Sequence, residues 1–231
     1  DFHAREIYKG EIIYIVSTFE KLVIYMNFNI NKLKKSNALA LLLGMFVGDG
    51  CLIIGHNGFG YRTYPIVLVN VNKKYIELFK NLFKQVFQIE GKISVRIRKD
   101  KKDLWCFQKC SLEIHNFINK ECEIPVGKKA YTVRIPSFIM NGNLEIKKHF
   151  FLGYLITDGG IRKKGDMIFH CSSQKLLEDL KELIKSVWGF ERNIRKFIQR
   201  EKYVSYQLTL NKEQSNIVLA QLPRWDNLAL R

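Results

Sequence analysis

Acidic side chains are scarce in this 231-residue chain: 22 Asp and Glu stand against 38 Lys and Arg, a formal charge of +16. That imbalance exceeds what solubility needs and implies a polyanionic partner, with nucleic acid the first candidate. Long apolar runs are missing as well. The longest, Ala38 to Gly48, is too short to cross a bilayer. Neither a lipid anchor nor a basic amphipathic helix with an aromatic face is present to hold the chain on an anionic membrane. No membrane partner is expected. Cysteine is sparse and odd in number, at positions 51, 106, 110, 122 and 171, with no disulfide-scaffold spacing. This implies an intracellular, reducing compartment, the cytoplasm of a prokaryote or an organelle. Cys106, Cys110, His115 and Cys122 invite a zinc reading, but their spacing fits none of the usual zinc patterns, and small buried side chains are expected instead. The chain begins DFHAR, without Met or a signal peptide, so residue 1 is not expected to be a natural start. What it does have is 47% hydrophobic residues, enough for the core of one large domain or two small ones.

The chain repeats itself. LLGMFVGDG (42–50) and FLGYLITDG (151–159) share the second Leu, the first Gly and the final Asp-Gly, with Asp158 lying 158 − 49 = 109 residues after Asp49. The segments downstream of the two copies are alike too. After the first come strand candidates CLII and YPIVLVNV around a Gly-rich HNGFGYR loop, read as a hairpin tip rather than a phosphate loop because it leads into a strand. Residues 72–87 place Tyr75, Ile76, Phe79, Leu82, Phe83 and Val86 at helical spacing, with Asn72 as cap. GKISVRIRK alternates Ile93, Val95 and Ile97 with Lys92, Ser94, Arg96 and Arg98, a half-buried strand with a basic outer face. DLWCFQKC pairs with it, and SLEIHNFIN closes the half as a short helix. The second half repeats this order, with a tighter first hairpin around RKKGD, a helix over 173–188, a strand pair in ERNIRKFIQ and YVSYQLTL, and a last helix over 211–222. The expected fold is α/β (α+β). Two pseudo-twofold halves, each helix, two strands, helix, two strands, helix, give two antiparallel four-stranded sheets around a central helix pair. Residues 1–35 form an N-terminal extension, 36–124 the first half, 125–142 a linker and 143–231 the second half.

Each repeated helix ends on a carboxylate, although the partial negative charge of a helix C-terminus disfavours an acid there by a few tenths to about 1 kcal/mol. Small residues recur four apart, Gly44 and Gly48 in one copy, Gly153 and Thr157 in the other, so each helix offers a flat stripe for close packing. Packed on those stripes, the helices bring Asp49 and Asp158 together, where mutual repulsion would raise a pKa. A divalent cation relieves both penalties. Carboxylate oxygens suit Mg²⁺, with Mn²⁺ as substitute, and such a site can activate water for phosphodiester hydrolysis.

The paired motifs and their intervening elements resemble the LAGLIDADG homing endonucleases in the single-chain, two-copy form, from about residue 36 to 222. The resemblance implies a saddle whose two sheets lie in the DNA major groove. It also implies helix-end acids that hold Mg²⁺ across the minor groove and cut both strands to leave short 3′ overhangs. By position those acids are Asp49 and Asp158, with the preceding Gly48 and Thr157 as further metal-site positions. The polar residue before the first amphipathic helix that helps order water is Asn70; its counterpart is Cys171. A family Lys near an Ile-Pro pair corresponds to Lys128, Lys129 or, directly before Ile135-Pro136, Arg134. Arg134 cannot act as a base but can stabilise phosphorane charge. A monomeric, site-specific endonuclease on double-stranded DNA is expected. A non-cleaving DNA-binding regulator, or an RNA maturase on the same scaffold, remains the alternative.

The expected DNA contacts come from the outer strand faces. They are Lys92, Ser94, Arg96 and Arg98 with Lys99, Lys101 and Lys102 from the adjoining turn, and Asn193, Arg195, Phe197 and Gln199 with Ser205, Gln207 and Thr209. Arg62, Arg162, Lys163 and Lys164 in the hairpin loops are expected to touch phosphates. Residues 1–35 are read as an added element, a DNA-binding arm, or sequence read through from upstream. An intein needs a nucleophile at residue 1 and a terminal His-Asn, so self-splicing is not expected from Asp1 and LALR.

Overall fold

The computed structural model describes residues 33–34, 36–99, 101–199 and 203–224. Apart from residues 33 and 34, the expected N-terminal extension lies outside them. Helix α1 (Asn37–Asp49) begins where Ser36 Oγ accepts the Leu39 N–H at 3.4 Å, and α5 (Leu144–Asp158) where Asn143 Oδ1 accepts the Ile146 N–H at 2.9 Å. Neither helix has an amphipathic stripe, because both are buried all round: Leu39 to Leu43 and Phe150 to Tyr154 are almost wholly inaccessible. They pack on each other through their glycines. A Cβ placed on Gly44 would lie 2.1 Å from the Phe150 carbonyl oxygen, and one on Gly153 2.1 Å from that of Leu41.

Both helices run straight into strands. The α1 chain continues as β1 (Gly50–Leu52), β2 (Gly55–His56), β3 (Arg62–Thr63) and β4 (Pro65–Asn70), then α2 (Lys73–Phe87), β5 (Lys92–Arg96), β6 (Leu104–Cys110) and α3 (Leu112–Asn116), which runs on as a π turn over Phe117–Glu121. A single turn, α4 (Ser137–Met140), precedes α5. The second half follows with β7 (Gly159–Ile161), β8 (Met167–Cys171), α6 (Gln174–Trp188), β9 (Arg195–Gln199), β10 (Tyr203–Leu210) and α7 (Lys212–Gln221). The two antiparallel four-stranded sheets have matching orders, β1-β4-β6-β5 and β7-β8-β10-β9. The duplicated architecture expected from the repeat is therefore present.

Helices cover one face of each sheet. Phe79 and Phe83 of α2 meet Phe107 of β6 with ring centroids 5.1 and 5.0 Å apart, while Phe151 and Tyr154 of α5 meet Phe169 of β8 at 5.4 and 5.7 Å. That cover ends partway along β5, where Ile93 is half-buried and the rest of the strand is exposed. The half-buried strand expected at 91–99 is therefore corrected: the strand ends at Arg96, Val95 is 43% exposed and Ile97 81% exposed. The HNGFGYR loop is a hairpin tip, as expected, tied by β2–β3 pairing and by Asn57 Oδ1, which accepts the Phe59 and Tyr61 N–H groups at 3.0 and 2.9 Å. Among the described residues no helix is long and apolar enough to cross a membrane, and no three His, Cys, Asp or Glu side chains group as for a metal. Cys122 and His115 are buried while Cys110 is exposed, which dissolves the zinc alternative.

Candidate active site

Asp49 and Asp158 are the last residues of the two packed helices, so the Gly44–Gly153 contact sets their separation. A Cβ on Gly48 would sit 2.2 Å from Thr157 Oγ1 and 3.4 Å from Asp158 Cγ, so the stripes stay in contact down to the acids. The glycine after each acid is not there for a left-handed turn: Gly50 and Gly159 are extended, at φ −83° and −85°. Their reason is space, since a Cβ would strike Phe46 Cδ2 at 2.2 Å or Leu155 Cδ1 at 2.5 Å.

Burial is the main force on both carboxyls. It lifts Asp49 to about 6 from an ordinary 3.8, aided by repulsion from Asp158 and opposed by Asn70 and Lys129. Asp158 is also raised, first by burial, with Lys129 opposing. Asn70, at the end of β4, donates from Nδ2 to Asp49 Oδ2 at 2.5 Å and accepts the Asn72 N–H on Oδ1 at 2.7 Å, which fixes its orientation.

Of the three linker cations, the structure delivers one to the acids. Gly127 donates its N–H to the Leu52 carbonyl at 2.8 Å, and its φ of +76° bends the linker so that Lys129 faces the helix ends. Lys129 Nζ donates to the Gly48 carbonyl at 2.8 Å and to that of Val47. Its ammonium is pulled below the ordinary lysine range by burial, countered by Asp158 and Asp49. Lys128 is exposed in the linker. Arg134 is a correction: its guanidinium is engaged by Asp179 on α6, at 3.0 and 2.6 Å, and Asp179 also accepts the Ile135 N–H at 3.1 Å. The pair pins the linker to α6 and does not face the helix-end acids. Asp179→Ala should therefore cost about 2 kcal/mol of stability by urea unfolding, since it strips partners from a guanidinium and a backbone N–H. Metal affinity should stay unchanged.

The remaining expected metal-site positions are also engaged. The Gly48 carbonyl is held by Lys129. The Thr157 hydroxyl is shared between the carbonyls of Gly153 and Tyr154 in its own helix, at 3.1 and 3.2 Å. Two carboxylates over helix C-terminal carbonyls are a hard-oxygen donor set, in a position whose electrostatics favour added positive charge. The residues present thus fit Mg²⁺ or Mn²⁺.

The sheet register defines the faces turned away from the helices. In the first sheet Lys92 opposes Gln108, itself opposite Val67, and Ser94 opposes Cys106. In the second, Arg195 opposes Gln207, itself opposite His170, and Phe197 opposes Ser205. Gln108 and His170 were not anticipated; pairing across strands, which no one-strand pattern reveals, adds them. Arg98 has part of its guanidinium engaged in the turn, with Nε donating to the Lys102 carbonyl at 2.9 Å. Gln207 is buried, its Nε2 donating to Thr209 Oγ1 at 2.7 Å, and the Ser205 hydroxyl is buried with no partner among the described residues. Lys92, Ser94, Arg96, Lys99, Lys101, Lys102, Arg62, Arg162, Lys163, Lys164, Asn193 and Arg195 are exposed. The Gln199 side chain lies outside the described residues. Phe59 and Tyr61, 87% and 71% exposed beside Arg62, are further surface groups that the sequence pattern did not single out.

The LAGLIDADG-like domain profile matches residues 36–123 and, a second time, 145–222. The chain belongs to the LAGLIDADG family. Solved structures with the LAGLIDADG fold include the homing endonuclease I-DmoI in complex with DNA and Ca, at 16% identity and a TM-score of 0.62, covering 84% of this chain and 93% of that one. I-DmoI with DNA and Mn matches at 16% identity and a TM-score of 0.60, covering 84% and 97%. The N-terminal LAGLIDADG domain of DUF199/WhiA matches at 13% identity and a TM-score of 0.53, covering 86% and 93%. A search of curated proteins finds no match. These likenesses establish the LAGLIDADG fold of the chain.

Proposed function

We propose that this LAGLIDADG protein is a monomeric, site-specific DNA endonuclease. In this reading it makes metal-dependent double-strand breaks with short 3′ overhangs at a long recognition site. The observation that carries the reading is the pair of helix-end carboxyls, Asp49 and Asp158, both held above the ordinary carboxylate range by burial. A merely structural helix end would not keep two acids in that state, whereas a cation between them removes their repulsion. The homing endonuclease I-DmoI, which shares the fold, has been solved with DNA and Ca or Mn. One chain supplies both acids, so no second copy is needed.

Asp49 and Asp158 would hold the cation, Mg²⁺ with Mn²⁺ able to substitute. Bound there, it supplies Lewis-acid stabilisation of phosphate oxygens and an acidified water. Asn70 keeps Asp49 oriented through its amide. Lys129, an ammonium made easier to deprotonate by burial, would offer positive charge to a scissile phosphate or pass a proton at Nζ. The exposed lysines and arginines of the outer faces would neutralise phosphates, and Arg96 and Arg195 would read guanines.

The decisive experiment selects cleaved sites from a randomised DNA library with Mg²⁺ or Mn²⁺, and repeats the digestion in EDTA. Site-specific ends that vanish with EDTA are expected, and Lys129→Met should slow cutting by roughly a hundredfold. One observation favours a binding-only regulator instead: the Lys129 ammonium itself brings positive charge to the helix-end carbonyls of Val47 and Gly48. Tight, sequence-selective DNA binding with no cleavage under any divalent cation would establish that reading in place of the nuclease.

A further inference from the structure

Asn70 and Cys171, the last residues of β4 and β8, oppose Trp105 and Tyr206, and these in turn oppose Val95 and Lys196 on the outer strands. One residue further along, Arg96 and Phe197 therefore occupy the same place in the two sheets. Their cross-strand partners, Leu104 and Ser205, alternate with Phe107 and Leu208, which are buried beneath the helices. Both places thus lie on the faces turned away from the helices.

What the two places show to solvent differs. Arg96 is exposed and carries a cation. Phe197 is 38% exposed, and the exposed His170 ring stands against it, with centroids 6.0 Å apart and planes inclined at 51°. The polar groups nearest this pair are withdrawn. Gln207, which opposes His170, is buried and bonded along its own strand to Thr209, and the Ser205 hydroxyl opposite Phe197 is inaccessible. Half-buried Ile168, two residues before His170 on the same face, extends the pair into an apolar strip.

We infer that Phe197 is a specificity-determining residue that recognises a thymine through its C5-methyl group, so that the two halves of the protein take chemically different half-sites. A phenyl ring can make no conventional hydrogen bond to a base edge. The methyl group of thymine is the apolar feature that a major groove presents, whereas the arginine at the equivalent place suits the O6 and N7 acceptors of guanine. The inference rests on the proposed reading that the outer faces enter the major groove of DNA, but it does not depend on cleavage.

Bound sites are selected from a randomised duplex library with the full chain and no added metal, so that nothing is cut. Each thymine of the selected duplex is then replaced in turn by deoxyuridine, which removes the methyl group alone, and affinity is followed by fluorescence anisotropy. In one half-site, uracil in at least one place should weaken binding by about fourfold, the effect of one buried methyl. Phe197→Ala should bind the thymine and uracil duplexes alike. Phe197→Leu, which keeps an apolar side chain, should retain part of the difference. Arg96→Ala should relax selection in the opposite half-site. A selected duplex whose affinity no uracil replacement moves, or a thymine–uracil difference that persists in Phe197→Ala, overturns the inference and leaves sequence-selective binding in place. Failure to select any sequence overturns the DNA reading and this inference together, whereas selective binding without cleavage counts against the nuclease alone.

Discussion

Asp49→Asn is expected to give a protein that binds its DNA, does not cut it, and is more stable than the parent above about pH 7. The stability gain comes from the sign of the Asp49 shift. Its folded-state value of about 6 lies above the ordinary 3.8. Between those two pH values the folded chain keeps a proton that the unfolded chain has released. Stability therefore falls as pH rises through that window and stays low above it. The displacement corresponds to about 3 kcal/mol at most for Asp49 alone. Asn carries no charge to bury, keeps the size of the side chain, and can still receive the Asn70 amide. Thermal unfolding of parent and variant across the pH range should show curves that separate between about pH 4 and 6, stay apart above it and converge in acid. Equal melting temperatures at all pH values would refute the electrostatic account. Added Mg²⁺ or Mn²⁺ should stabilise the parent at high pH, by about 2.7 kcal/mol at a hundredfold excess over its dissociation constant, and do little for the variant. Asp158→Asn should act in the same direction, and each substitution should lower double-strand cleavage by roughly a hundred- to a thousandfold or more.

Gly153→Leu is expected to prevent the two halves from closing on each other. Even the first atom of the new side chain would lie 2.1 Å from the Leu41 carbonyl oxygen and 2.8 Å from the Met45 nitrogen. Both are backbone atoms of a fully buried helix, so relief requires the helices to part. The cost should be about 3 kcal/mol or more even for Gly153→Ala, and the leucine variant should lose cooperative unfolding. Gly48→Ala is the informative contrast. Thr157 Oγ1, at 2.2 Å, can rotate away, but Thr157 Cβ, at 2.8 Å, moves only with its backbone, so a loss of about 2 kcal/mol, smaller than that of Gly153→Ala, is expected. Chemical denaturation of the alanine variants checks the order. Gly48→Ala matching Gly153→Ala would mean that the lower stripe is as rigid as the upper one.

Much of the fold is readable from the residues. Gly44 and Gly153 announce close helix packing because i and i+4 share a face, and Asp49 and Asp158 sit at fixed positions within a repeated motif. Caps such as Asn72 and Asn143 arise from short-range chemistry alone. Sequence patterns mislead where the answer depends on what lies opposite. Ile97 alternates like a buried residue, yet it lies past the edge that the helices cover. Arg98 looks like a member of a basic strand face, but the strand has ended and its guanidinium serves the turn. Gln108 and His170 reach the outer faces through register, which is set between strands and not along them.

The sequence by itself determined the duplicated order of elements, the buried helix pair and the two acids at its ends, because these are encoded by periodicity and by repetition over short distances. Only the tertiary structure decided which linker cation meets those acids. Lys128, Lys129 and Arg134 are equivalent as a string of charges. A glycine bend at Gly127 tied to Leu52, and a buried Asp179 that captures Arg134, leave Lys129 as the one that arrives. The direction in which a side chain leaves an irregular segment is fixed by contacts distant in sequence, and no local pattern carries that information.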